Sequence, residues 1–179
     1  MKIFKLSMVL LLICAIVAGV LGVVNFITAD KIAQQQAIKT AKAYAAVLES
    51  EGYTDVDFDR EAFPTVDNIA AADNGKGYVV MTTFSGAQGK ITMAVGVDNE
   101  LKCTGISITK HSETSGLGAN AASAAEVGVN FRSKFVGEGK EIAITKAGGN
   151  IEIIAGATIT TQAITDAVAE TIAAVEAIL

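Results

Sequence analysis

The segment that decides the fold is "GYVVMTTFSGAQGKITMAVGVDNELKCTGISITK", residues 77–110. It contains three runs rich in β-branched residues, "GYVVMTTF", "KITMAVGVD" and "LKCTGISITK", joined by the short turns "SGAQG" and "DNE". Runs of this composition between Gly, Asn and Asp residues are typical of strands, and turns this short connect antiparallel neighbours. The segment therefore predicts an antiparallel meander.

Helices are predicted to flank this sheet. The run "NAASAAEVGVNFRSKF", residues 120–135, predicts a helix, while "EIAIT" and "NIEII" predict two strands around the turn "KAGGN". The chain then ends in a helix with an apolar stripe at helical spacing, formed by Ile164, Val168, Ile172, Val175 and Leu179. Pro64 is expected in a loop. The predicted fold class is α+β.

An uncharged apolar run, residues 6–27, precedes the domain. It is long enough to span a bilayer and longer than the apolar core of a cleaved signal peptide, which favours a transmembrane anchor. The following segment, "DKIAQQQAIKTAKAYAAVLESEG", has helical spacing and Gly52 as a stop. We therefore expect an anchor at residues 1–29, a juxtamembrane helix at 30–52 and one domain at 53–179.

The side of the membrane is not decided by charge, because lysines lie on both sides of the apolar run. The very short N-terminal tail favours its retention in the cytoplasm. The expectation is a single-pass protein of the cell membrane with its domain on the extracytoplasmic side.

Several functional classes are disfavoured by composition. The net charge is −5 without a cluster of Lys and Arg, which argues against a nucleic-acid partner. His111 is the only histidine, which excludes metal sites built on several histidines and a Ser/His/Asp triad with another histidine. A site using His111 alone stays open, but we expect His111 in a loop and predict no metal site and no catalytic residue. Cys14 lies in the span and Cys103 in the domain, so no intramolecular disulfide is expected.

Glycine-rich "GLGANA", residues 116–121, matches the G-x-G-x-x-A form of the dinucleotide fingerprint. That fingerprint needs parallel strands in a βαβ unit, whereas the preceding strands are predicted to be antiparallel. The glycines also permit a positive φ and close approach to a flat ligand, with Leu117 as an apolar contact. The structural alternative is a tight turn from strand to helix.

Three threonines lie where the C-terminal helix is predicted to begin, in "IIAGATITTQ", residues 153–162. A helix start presents free N–H groups and a positive dipole end, which together favour a phosphate. Hydroxyls at Thr158, Thr160 and Thr161 can donate to phosphate oxygens or be esterified. The alternative is ordinary capping by Thr160 or Thr161, but capping needs only one hydroxyl.

Two motifs resemble the covalent FMN-binding domain of membrane electron-transport complexes, found in the G subunit of Rnf complexes and the C subunit of sodium-pumping NADH:quinone reductases. Glu152 followed by "AGAT", Ala155 to Thr158, is similar to the flavinylation signature of an acidic residue followed by [S/T]-G-A-T. The second motif is "HSETSGLG", residues 111–118, where a proline is more usual at Ser115. The resemblance covers nearly the whole chain.

The resemblance implies that Thr158 carries FMN through a phosphoester, attached by a separate flavin transferase that uses FAD. Two departures from the signature are Ala155, which lacks a hydroxyl, and Glu152 in place of Asp. The loop at 113–118 would lie against the isoalloxazine, with Thr114 and Leu117 as its nearest contacts and Glu113 orienting the loop. The expected cofactor-binding residues are Glu113, Thr114, Gly116, Leu117, Gly118, Gly156, Ala157, Thr158, Thr160 and Thr161.

The function implied is that of a membrane-anchored flavoprotein electron carrier, a redox subunit of an Rnf-type ion-translocating complex rather than a stand-alone enzyme. Such a carrier needs only to hold and tune its flavin, which suits a chain with one histidine. Its partners would be the other subunits and the flavin transferase. Two alternatives are the C subunit of a sodium-pumping NADH:quinone reductase and a non-redox, membrane-anchored binding module.

Overall fold

The computed structural model describes residues 2–179, with side chains from Phe4 onward. The chain divides into two compact units, one up to Lys39 and one from Thr40 to Leu179. Short 3₁₀ helices occur at Gly118–Ala122 and Thr145–Ala147. The longer elements are α1 (Lys2–Val47), β1 (Tyr53–Val56), β2 (Val66–Ala72), β3 (Gly77–Ser85), β4 (Lys90–Asp98), β5 (Cys103–Lys110), α2 (Glu126–Ser133) and α3 (Thr158–Glu176).

The sheet contains five antiparallel strands in the order β1-β2-β3-β4-β5. The predicted meander at 77–110 is confirmed as β3, β4 and β5, and the α+β class with an antiparallel sheet is confirmed with it. Strands β1 and β2 were not predicted, because "YTDV" is short and half polar and "VDNIAAA" is rich in alanine. Pro64 lies in the turn before β2, as expected.

One face of the sheet packs against α3. Side chains such as Ile69, Val80 and Val95 meet the helix in a single apolar core. The predicted stripe is confirmed at Ile164, Val168, Ile172 and Val175, which are fully buried. Leu179 is instead 66% exposed, because the helix ends at Glu176.

The other face of the sheet is covered by the last turns of α1. Ala43, Tyr44, Val47 and Leu48 pack on small side chains of β2, β3 and β4. A Cβ at Gly96 would lie 2.6 Å from the Val47 carbonyl oxygen, so glycine allows the helix to approach the sheet closely. The hydroxyl of Thr104 donates to the same carbonyl. The end of α1 is therefore part of the domain core.

Helix α1 is continuous from Lys2 to Val47 and ends before Gly52, the predicted stop. The predicted domain boundaries after residues 29 and 52 stay predictions. Within the described residues, one helix, Phe4–Val47, is long and apolar enough to cross a membrane. Its large apolar side chains between Phe4 and Ile27 are all more than half exposed.

The predicted strands at "EIAIT" and "NIEII" are wrong. These segments meet only at one parallel bridge, Ile144 to Ile151, beside the 3₁₀ helix at Thr145–Ala147. Four of their isoleucines are buried in the core and Ile153 packs against it partly exposed; the buried four are Ile142, Ile144, Ile151 and Ile154. The β-like pattern therefore reflects side-chain packing and not a ladder of strand hydrogen bonds.

The helix predicted at 120–135 is interrupted. It consists of the 3₁₀ helix Gly118–Ala122 and α2, with Ser123 extended between them (φ −62°, ψ 143°). The Arg132 guanidinium donates to the carbonyl oxygens of Ala121 (2.7 Å) and Ser123 (2.9 Å). These two bonds satisfy carbonyls that a continuous helix would pair internally, so they stabilise the break.

A first prediction concerns the packing of α1 on the sheet. Tyr44 is buried and its ring meets that of Tyr53 edge-on, with 5.1 Å between centroids. Tyr44→Ala should lower the free energy of unfolding by about 3 kcal/mol, the usual cost of removing a buried aromatic ring. Urea unfolding of residues 40–179 measures this, with exposed Lys42→Ala as control. Equal stability of the two variants would show that α1 does not belong to the domain core.

Candidate functional site

The loop after β5 and the start of α3 meet at a cavity of about 290 Å³. All predicted site residues except Gly116 and Thr161 line it. Three further lining residues were missed: Ala87 and Gln88, in the turn between β3 and β4, and Ile159. The full lining is Ala87, Gln88, Glu113, Thr114, Leu117, Gly118, Gly156, Ala157, Thr158, Ile159 and Thr160.

Helix α3 begins at Thr158 without a side-chain cap, and the residue in the cap position is Ala157. The alternative interpretation, in which Thr160 or Thr161 is an ordinary N-cap, is therefore wrong. The amides of residues 158–160 have no carbonyl partner within the helix, and the first that pairs is that of Thr161, which donates to Ala157 O at 2.9 Å. The cavity thus faces three amides and the positive end of the helix dipole.

The three threonines have different environments. Thr158 is partly exposed in the cavity wall. Thr160 is buried and its hydroxyl donates to Glu113. Thr161 lies behind the cavity, where its hydroxyl donates to Ala157 O (2.9 Å) and accepts from the Ile154 amide (3.2 Å). Thr161 therefore supports the loop before the helix.

Glu113 links the three segments that form the cavity. It is buried, with 8% of its surface exposed. Its Oε2 accepts a hydrogen bond from the Thr160 hydroxyl at 2.6 Å, and its Oε1 accepts one from the backbone amide of Gln88 at 3.1 Å. One carboxylate therefore connects the loop after β5 to the helix start and to the β3–β4 turn.

Two glycines shape the cavity. A Cβ at Gly118 would lie 2.4 Å from Glu113 Oε2, so only glycine leaves room for the carboxylate. Gly156 has a φ of +75°, and a Cβ there would lie 2.8 Å from Leu117 Cδ2. Gly116 also has a positive φ, +77°, and turns the loop from outside the cavity wall.

The rim of the cavity is apolar and exposed. Leu117 is 42% exposed and Ile159 is 67% exposed. Glu113 is the only charged side chain in the described cavity wall, and no cation is present there. The start of α3 offers backbone amides and the Thr158 hydroxyl to an anionic group, against the repulsion of the Glu113 carboxylate, and the rim offers apolar side chains to a flat group.

Glu152, the acidic residue of the first motif, lies outside this cavity and is exposed. It pairs with Lys134 from the end of α2. The hydrogen bond from Lys134, and then its charge, lower the pKa of Glu152. Glu152 borders a neighbouring depression of about 390 Å³ that also includes Gly116 and Ala155.

The remaining polar candidates lie away from the cavity. His111 follows β5 in a loop, as predicted, and does not line the wall. Burial raises the pKa of the Cys103 thiol to about 12, which keeps it protonated and unreactive. Among the described residues, no group of His, Cys, Asp and Glu is arranged to hold a metal.

Comparison with known proteins identifies the class of this site. A family model described as "FMN-binding domain" matches residues 86–173, which contain the whole cavity wall. A second model, "RnfG N-terminal region", matches residues 1–47. The site therefore belongs to an FMN-binding domain.

Relatives extend over almost the whole chain. The chain is 31% identical to the G subunit of the ion-translocating oxidoreductase complex of Methanosarcina acetivorans, over 93% of this chain and 90% of that protein. It is 31% identical to the G subunit of the Na(+)-translocating ferredoxin:NAD(+) oxidoreductase complex of Acetobacterium woodii, over 93% of this chain and 88% of that protein. The chain belongs to the family of G subunits of ion-translocating oxidoreductase complexes.

Two further similarities were found. The G subunit of the proton-translocating ferredoxin:NAD(+) oxidoreductase complex of Clostridium ljungdahlii is 30% identical, over 96% of this chain and 90% of that protein. A crystal structure of the C subunit of Na(+)-translocating NADH-quinone reductase from Parabacteroides distasonis aligns with a TM-score of 0.47 at 23% identity, over 61% of this chain and 59% of that one.

A second prediction separates two costs of a side chain at Gly156, the strain of a positive φ and the contact with Leu117. Gly156→Ala and Gly137→Ala both place a side chain at a positive φ, which costs about 1–2 kcal/mol. Only the first also meets a neighbour, Leu117, because Gly137 has open space around it. Urea unfolding should therefore show a larger loss of stability for Gly156→Ala. Equal losses would mean that Leu117 does not pack on Gly156.

Proposed function

We propose that this protein is a membrane-anchored electron carrier in an Rnf-type complex, with FMN esterified through its phosphate to Thr158. The observation that carries the proposal is the position of Thr158, a partly exposed hydroxyl at the amino end of α3 in the cavity wall. The relatives named as G subunits favour this complex over a quinone reductase and its C subunit. Membership of the family implies other subunits as partners.

The helix start fits an esterified phosphate. A phosphate joined to both Thr158 and the ribityl chain has one negative charge, which suits three free amides and a helix end of about +0.5 charge. Transfer from FAD forms the bond from Thr158 Oγ1 to phosphorus and releases AMP, with the hydroxyl proton lost. We assign this transfer to a separate flavin transferase.

The rim fits the ring of the cofactor. Leu117 and Ile159 present exposed apolar side chains, and Thr114 adds a hydroxyl beside them. FMN, when bound, supplies one-electron chemistry, while the protein holds the ring and sets its potential. The open rim leaves an edge of the ring accessible to a redox partner. Electron transfer of this kind needs no acid–base pair.

The apolar part of α1 supports a transmembrane anchor. Its large side chains from Phe4 to Ile27 are more than half exposed, and each square ångström of apolar surface moved out of water contributes about 25 cal/mol. We place the domain on the extracytoplasmic side, the side that the resemblance to the covalent FMN-binding family implies. This orientation puts the flavin outside the cytoplasm.

A third prediction tests the attachment residue. Thr158→Ala, co-expressed with an active flavin transferase, should lose all flavin fluorescence that survives a denaturing gel, because the esterified oxygen is gone. Thr158→Ser should retain part of it, since the hydroxyl remains. Ser115→Ala is the control: it removes an exposed hydroxyl of the neighbouring loop and should keep full fluorescence. Covalent flavin persisting in Thr158→Ala would place the ester elsewhere.

A fourth prediction tests the side of the membrane. In a Cys14→Ala background, Ser133→Cys places a thiol on the exposed end of α2. A membrane-impermeant maleimide should label it in right-side-out vesicles and leave it unlabelled in inverted ones. The parent Cys14→Ala protein should stay unlabelled, since Cys103 is buried and protonated. Labelling only in inverted vesicles would place the domain in the cytoplasm.

A further inference from the structure

We propose that the Glu113 carboxylate is a fixed negative charge inside the cavity that lowers the redox potential of the bound flavin. The inference rests on the proposed function and adds a role for one residue of the same site. It follows from the hydrogen bonds, the glycine contacts and the charges of the cavity wall.

The carboxylate has a defined position. Each of its oxygens accepts one hydrogen bond, Oε2 from the Thr160 hydroxyl and Oε1 from the backbone amide of Gln88. The two donors come from α3 and from the β3–β4 turn, 47 and 25 residues away in sequence. Elements that pack independently on the sheet therefore hold the same side chain from two directions.

The backbone around the carboxylate leaves room for it alone. A Cβ at Gly86 would lie 2.4 Å from Glu113 Oε1, and a Cβ at Gly118 would lie 2.4 Å from Oε2. Both contacts are far shorter than any Cβ tolerates. Glycine at these two positions thus accommodates the charged group on both sides.

No cation among the described residues forms an ion pair with this carboxylate. Glu113 is the only charged side chain in the described cavity wall. The two ion pairs found among the described residues, Lys134–Glu152 and Lys140–Glu176, do not involve it. Its charge is balanced only by two neutral hydrogen-bond donors.

Such a charge acts on any redox group in the same cavity. Adding an electron to a flavin adds negative charge, and a nearby carboxylate disfavours that reduced form. A group bound against this wall would lie close to the carboxylate, and charges closer than the Debye length of about 8 Å at physiological salt are only partly screened. Salt therefore screens the interaction weakly.

The test compares two Glu→Gln substitutions in the full-length, detergent-solubilised protein carrying covalent flavin. Glu113→Gln keeps the shape of the side chain and removes its charge, so the midpoint potential in a spectroelectrochemical titration should shift to more positive values. Glu141→Gln makes the same change at an exposed position outside this cavity and should leave the potential unchanged. A purely structural role for Glu113 does not predict a shift of this sign.

A second variant covers the case in which Glu113→Gln does not acquire flavin. Gln88→Lys adds a positive charge on the exposed turn beside the carboxylate and should also raise the potential. An unchanged midpoint potential in a flavin-loaded Glu113→Gln protein overturns this inference. If only Gln88→Lys acquires flavin, an unchanged potential in that variant overturns it. Either result leaves the attachment to Thr158 intact. A wild-type protein without flavin overturns the proposed function itself.

Discussion

Burial of α3 against the sheet is the constraint on which the site depends. The helix packs Ile164, Val168 and Ile172 into the core, and its period of 3.6 residues per turn then sets the direction of every other side chain. Thr161 falls on the buried side, while Thr158 falls at its edge, partly exposed in the cavity wall. The packing of the helix therefore leaves one of three chemically similar threonines partly exposed and buries the other two.

The same packing brings distant segments together around Glu113. The turn between β3 and β4 reaches the helix start because α3 packs on the sheet to which these strands belong, and the carboxylate joins them through the Gln88 backbone amide and the Thr160 hydroxyl. The cavity combines an amino helix end, one carboxylate and an apolar rim. This combination suits a cofactor with an anionic phosphate at one end and a flat ring at the other. The carboxylate would tune the redox potential of that ring.

Local pattern was sufficient for the elements that alternate or repeat regularly. Strands β3 to β5 were predicted because their β-branched runs are separated by short turns, and the stripe of α3 was predicted because its apolar residues recur at the helical period. The isoleucines around the bridge from Ile144 to Ile151 misled the prediction, since core burial without a ladder leaves the same pattern. The break before α2 was missed because it depends on the contacts of Arg132.

The site was predicted in outline, with its wall formed from the two motifs around Leu117 and Thr158. Gln88 was missed because its contact with Glu113 joins residues far apart in sequence, which no short pattern reveals. The different environments of Thr160 and Thr161 also depend on the orientation of α3 in the fold. The only sequence signal for the part of the cavity wall formed by Ala87 and Gln88 was the turn "SGAQG" between two predicted strands.

The attachment of FMN to Thr158 is tested most directly by tandem mass spectrometry of the flavin-loaded protein. Trypsin should release residues 147–179 as one peptide, because no Lys or Arg follows Lys146. If FMN is esterified to Thr158, this peptide should show a mass increase equal to FMN less one water, with fragment ions that assign it to Thr158. A modification on another residue of this peptide, or an unmodified peptide from a protein that retains covalent flavin, would contradict it.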